Sequence, residues 1–175
     1  MYKVKGILMR SFRVSEVAKL LGIESGAIRI WRNRGICRFG LDGPTIAARY
    51  TPQDVLVMAW ALALKTAGFD LREAFDVAES HRWCADRILA GQVTEPHYLI
   101  VESRPLDPQR YAGYRFGPAA AVLREWSPDA PVSVVINATK IADNLFGPDG
   151  SLRHLDAELS RLGADEVVVK TGRGH

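Results

Sequence analysis

Ten consecutive apolar residues, Val55 to Leu64 (VLVMAWALAL), constrain this chain more than any other stretch. The run is about half the length that a membrane-spanning helix needs, and Asp54 and Lys65 bracket it, so it reads as a buried helix. Its start is explicit: Thr51-Pro52-Gln53-Asp54 places Thr at the N-cap, Pro at N1 and an acid at N3. The helix runs to Ala67 and Gly68 ends it. The chain has 175 residues, 47% hydrophobic and 25% charged, which is room for one ordinary domain or two small ones with a packed core.

Two shorter helices precede it. The first is expected over Ser15–Leu21, with Ser15 as N-cap and Val17, Leu20 and Leu21 as an apolar stripe, ended by Gly22. Ile23 returns to the core, and Glu24 or Ser25 caps a second helix that runs to about Arg34. At 100° per residue, Glu24, Ala27, Ile28 and Trp31 share one side, and Gly26, Arg29, Ile30 and Asn33 the other. Trp31 is thus expected in the core against the first helix, with the arginines outward. Gly35 stops the second helix. The Gly- and Pro-bearing segment Ile36–Ala48 reads as a hairpin or loop, a wing closed by Arg49 and Tyr50. After Gly68, Asp70 and Glu73 cap a fourth helix expected to continue to about Leu89.

Beyond a linker at Gly91–Pro96 the texture changes. His97–Glu102 (HYLIVE), Val132–Ile136 (VSVVI) and Glu166–Lys170 (EVVVK) read as strands, as does Tyr111–Phe116. Pro118–Trp126, Ala138–Leu145 and Ser151–Leu162 read as helices, and the final TGRGH as a frayed tail. The expected class is α+β: a mostly helical winged helix-turn-helix head, residues 1–91, followed by a small α/β domain, residues 92–175, in the order β-β-α-β-α-α-β.

Charge is distributed unevenly. Residues 1 to 50 carry ten Lys or Arg against three Asp or Glu, and the remainder 13 against 17. A basic third on a mildly acidic remainder points to a local anionic partner, nucleic acid first and an anionic membrane surface second. The membrane option requires a basic helix with a wide apolar face, and none is evident. Cys37 and Cys84 are too few for a zinc site and no C-x-x-C or H-x-x-x-H spacing adds ligands, so both read as reduced, packed thiols. Phosphate-binding glycine fingerprints are absent, and His97 and His154 read as solvent-facing or hydrogen-bonded; neither a cofactor nor a catalytic role is assigned. Asn137, Thr139, Lys140 and Asp143 cluster after a strand, as a ligand site or equally as a helix cap built on Asn137. With no signal-peptide pattern after Lys3, Lys5 and Arg10, the expected location is the cytoplasm.

Two short helices joined by a Gly turn, the second cationic, are the parts of a helix-turn-helix whose second helix enters the DNA major groove. The stretch FRVSEVAKLLGIESGAIRIWRNRGI, Phe12 to Ile36, resembles the DNA-binding head of the MerR family of bacterial transcription regulators. RYTPQDV, Arg49 to Val55, is similar to that family's wing-closing segment, and TAGFDLREA, Thr66 to Ala74, to its junction into the fourth helix. The likeness covers about Phe12 to Ser80. It implies double-stranded DNA as partner, with Arg29 on a phosphate or guanine edge, Asn33 on a base or phosphate, and Gly26 allowing close approach. Arg13, Arg38 and Arg49 would follow the backbone from the wing side, Tyr50 would meet a phosphate, and Ser25 and Arg32 complete the expected set.

Departures from the family pattern matter. Arg32 stands where the pattern has an acid, and the wing lacks the family's paired arginines. MerR proteins dimerise through a long helix after the head, which Gly91 and Pro96 interrupt here, so a homodimer would have to use the fourth helix or the α/β segment. That segment is also the expected site for an effector, RNA polymerase or another protein. The alternative is a phage-type DNA-handling protein, like an excisionase or terminase small subunit, using the same head. A third reading makes the head a protein-interaction module beside an enzyme.

Overall fold

The computed structural model describes residues 10–40, 48–104, 107–122, 124 and 133–158. The expected strand Glu166–Lys170, the tail, the middle of the wing and the later parts of the helices placed at Pro118–Trp126 and Ser151–Leu162 lie outside these.

The apolar run folds as anticipated. Helix α3 (Pro52–Thr66) is the centre of the molecule, with Val55, Leu56, Val57, Met58, Trp60, Ala61 and Leu64 all fully buried. Its cap is reciprocal: the Asp54 backbone N–H donates to Thr51 Oγ1 at 3.2 Å, and the Thr51 N–H donates to Asp54 Oδ2 at 2.7 Å. Pro52 has no N–H, so this box satisfies two of the three orphan amides of the first turn, those of Thr51 and Asp54.

Ahead of α3 stand β1 (Phe12–Arg13), α1 (Val14–Leu21), α2 (Ser25–Asn33) and β2 (Arg49–Tyr50). Helix α1 begins earlier than the sequence suggests. Arg13 is its N-cap residue, and the Glu16 carboxylate accepts the Arg13 N–H at 2.6 Å, so Ser15 lies inside the first turn instead of capping it. Gly22 ends the helix in the left-handed conformation at φ 66°, where a side chain would be strained. Strands β1 and β2 pair antiparallel, Phe12 opposite Tyr50 and Arg13 opposite Arg49, and tie the chain before α1 to the end of the wing segment.

The single fourth helix is instead two, α4 (Leu71–Ser80) and α5 (Arg82–Leu89). The break has a local cause. The Val77 carbonyl, which a continuous helix would offer to the His81 amide, instead receives the Ser80 hydroxyl at 2.7 Å and meets His81 Nδ1 at 2.9 Å. The His81 N–H turns to Ala78 O at 3.1 Å, and the axis bends. The Asp70 cap holds as expected, its Oδ1 accepting the Arg72 and Glu73 amides at 2.9 and 3.3 Å.

Beyond Gly91, β3 (His97–Arg104) is the central strand of an antiparallel sheet in the order β4-β3-β5, with β4 (Asp107–Pro118) and β5 (Ser133–Asn137) at its sides. Short α6 (Ala119–Val122) follows β4, α7 (Ala138–Phe146) follows β5, and residues 151–158 are helical. Asn137 caps α7, accepting the Lys140 N–H at 2.8 Å, while Thr139 Oγ1 accepts the His97 amide at 2.9 Å. The cap therefore accounts for Asn137, and an inter-element hydrogen bond for Thr139. The molecule is α+β, a helical head with a small sheet behind it.

One buried cluster runs from the head into the sheet, joining Phe12, Ile28, Trp60 and Phe75 to Leu99, Val101 and Ile136. Trp60 is the chief link: its ring centre is 5.6 Å from that of Phe116 on β4, and its Nε1–H donates to the Ala138 carbonyl at 3.4 Å. Burial of a side chain this size stabilises by roughly 1.5–3 kcal/mol or more, so the sheet is anchored on the apolar helix and not merely linked to it.

Candidate nucleic-acid interface

The outward face of α2 is populated as the helical period requires: Gly26, Arg29, Ile30 and Asn33 are exposed, and Ile28 is fully buried opposite them. Ser25 opens the helix, half-buried. Ile30, half exposed, shares that face and was not among the expected contact residues, since an apolar side chain does not announce itself as a DNA ligand. Its surface suits the methyl group of thymine. A Cβ built on Gly26 meets nothing within 4 Å, so the fold does not require glycine there.

Trp31 is half-buried and packs against the core, with an aromatic neighbour that the sequence did not indicate. Its ring lies 5.5 Å from Phe75 on α4, edge to face, while the buried side chain between α2 and the core is Ile28. The indole thus fastens α2 to the fourth-helix region. Its backbone carbonyl accepts the Ile36 and Cys37 amides at 2.8 and 3.2 Å, and so sets the start of the wing segment.

The candidate cations divide by environment. Arg13, Arg29 and Arg38 are exposed and Arg49 is half-buried; none of the four guanidinium groups has an ion-pair partner among the described residues. Arg13 and Arg49 are directly opposite each other in the β1–β2 ladder. Like charges facing across a strand pair repel, and an external anion relieves that repulsion. By contrast Arg10 pairs with Asp156 at 2.7 Å and Lys19 with Glu158 at 2.6 Å, so part of the N-terminal basic charge is engaged by the 151–158 helix.

Two members of the expected contact set point elsewhere. Arg32 is half-buried, with Nη1 enclosed beside Gly40. Tyr50 is wholly buried and its hydroxyl enclosed; burial raises its pKa, and the neighbouring Arg32 lowers it again in part. In this arrangement neither the Tyr50 hydroxyl nor Arg32 Nη1 is open to a phosphate. For Tyr50 the physical reason is the ladder itself, which turns Phe12 and Tyr50 to the core whenever it turns Arg13 and Arg49 outward.

Both cysteines are buried, and desolvation pushes the Cys37 thiol up to about 11 and that of Cys84 to about 12, so both stay protonated and apolar near neutrality. Among the described residues no three His, Cys, Asp or Glu side chains cluster as metal ligands would, and no helix is long and apolar enough to cross a membrane.

Residues 12–80 match the family model of MerR HTH family regulatory proteins, the span in which the sequence likeness was read. The head is therefore a MerR-like helix-turn-helix, a module of DNA-binding regulators, while the sheet and its helices lie outside the match. No curated protein matches this chain.

Proposed function

We propose that the protein is a sequence-specific transcription regulator that places α2 in the major groove of double-stranded DNA and rests the β1–β2 ladder on the backbone. Arg29 reads a guanine edge or a phosphate, Ile30 meets a base methyl, Asn33 reaches a base or phosphate, and Gly26 and Ser25 let the helix start approach closely. Arg13, Arg38 and Arg49 hold the backbone; Arg32 and Tyr50 support the wing from inside. The observation that carries this reading is the unpaired Arg13–Arg49 cross-strand couple beside the exposed face of α2. A like-charged pair that costs stability is retained where an anion would use it.

A homodimer, with two heads on a palindromic site, is the form such a head uses. The sheet region, residues 92–175, would then supply the dimer contact or a docking face for RNA polymerase or another protein. Selection of bound sequences from a random DNA pool tests the whole reading. One short palindrome supports a regulator. Repeated sites with growing assemblies support the packaging or excision alternative, and no preference over random DNA refutes sequence-specific control.

A further inference from the structure

A recess of about 170 Å³ opens between α5 and the β3–β4 hairpin, outside the family-matched head. Phe116 on β4 forms its floor, with the Trp83 ring centre 6.4 Å and the His97 ring centre 5.7 Å away. Cys84, Val93, Gly117 and Pro118 add to the lining. Trp83, 55% exposed, is an unusual residue to leave in water at the end of a helical head. Among the described residues Arg87 is the only formally charged side chain on the wall, one turn along α5 from Trp83 and itself exposed, and none of them brings a carboxylate to the recess.

We infer that this recess binds a small aromatic carboxylate. Size, surface and charge each restrict the choice. A dry cavity of ~150 Å³ accommodates a benzene-sized ring, so a recess of this volume has room for one ring. Three ring systems around the space favour a planar apolar body through offset or edge contacts. A cationic ligand is disfavoured: the aromatic faces would attract it, but Arg87 repels it and no acid among the described lining residues compensates. Arg87 instead supplies the planar fork that pairs with a carboxylate in two hydrogen bonds. Cys84 stays a protonated, soft wall, its pKa raised by burial.

The recess also bears on the head through covalent adjacency. Arg82, the residue before Trp83, forms an ion pair with Asp54 at 2.6 Å and reaches Thr51 at 3.5 Å, at the start of α3 and directly after Arg49 and Tyr50. An occupant pressing on the first turn of α5 acts on the helix that fixes the end of the wing, and any coupling to DNA affinity is reciprocal.

Binding is tested on the intact free protein, so its outcome is separate from that of the DNA reading. Benzoate, benzyl alcohol and benzylamine are titrated in parallel, followed by tryptophan fluorescence and calorimetry. Saturable benzoate binding at least ~10-fold tighter than benzyl alcohol, with benzylamine weakest, is the expected order. Arg87→Gln, a change at an exposed side chain, reduces benzoate to the benzyl alcohol level and leaves benzyl alcohol unchanged. Equal affinities for the three, preference for the amine, no saturable binding, or an Arg87→Gln protein that binds benzoate normally would each overturn the assignment.

Discussion

Arg82 Nη2 lies 2.6 Å from Asp54 Oδ1, joining the first turn of α5 to the first turn of α3 through a carboxylate that is almost fully buried. The same carboxylate caps Thr51, so one acid holds the start of the central helix and the position of the helix beyond the His81 bend. Arg82 also stacks over Phe39, 5.3 Å from its ring centre, near the start of the wing segment.

Arg82→Ala leaves that carboxylate buried without its charge partner. The expected loss is about 3 kcal/mol, at the lower end for a broken buried pair because Arg82 is partly exposed. Chemical denaturation measures it. A loss below ~0.5 kcal/mol, the range of an ordinary surface pair, would remove this contact from the framework.

Gly26→Ala separates stability from recognition. With open space around the added methyl, the helix gains roughly 0.5–1 kcal/mol, seen as a higher melting temperature. If α2 approaches DNA as closely as proposed, the same variant binds its site more weakly. Tighter or unchanged binding would mean that no duplex comes near this turn.

His81 provides a pH dependence. Its ring is buried against Phe116 and Tyr114, and burial lowers its pKa below the ordinary 6.5, although its hydrogen bond to the Val77 carbonyl opposes the shift. The unfolded chain therefore takes up this proton first. The contribution of His81 to stability is complete above pH 6.5 and is lost as pH falls towards the lower folded-state value. In denaturant titrations from pH 7.5 to 5, His81→Phe should lose stability less steeply than the wild type. Parallel slopes would show that the ring is protonated as readily in the fold as in the unfolded chain.

Trp60→Ala examines the join between head and sheet. Removing an indole buried between α3 and Phe116 costs about 3–5 kcal/mol. Because one core cluster serves both parts, the wild type should unfold in a single transition by far-ultraviolet circular dichroism and tryptophan fluorescence. Two separated transitions would mean that the parts are energetically independent.

Much of this was legible locally. The Thr51–Asp54 box, the Gly22 turn, the Asp70 and Asn137 caps and the exposed face of α2 depend on near neighbours in sequence, and each was found where the residues placed it. What was not legible depends on distant partners or on competition for one atom. The bend at His81 arises because three groups contend for the Val77 carbonyl, a conflict that hydrophobic periodicity does not register. Trp31 facing Phe75 and the burial of Tyr50 both follow from packing across tens of residues. The sheet, with its three described strands all antiparallel, required knowing that β3 pairs on both sides.

The most direct measurement is the affinity of the intact protein for its selected DNA site, compared with Arg29→Ala and Arg49→Ala over a range of salt concentrations. The account predicts that Arg29→Ala costs about 1–3 kcal/mol and relaxes preference at one base position. Arg49→Ala should weaken binding to all sequences alike and flatten the salt slope by about one unit. Wild-type affinity and preference in both variants would contradict it.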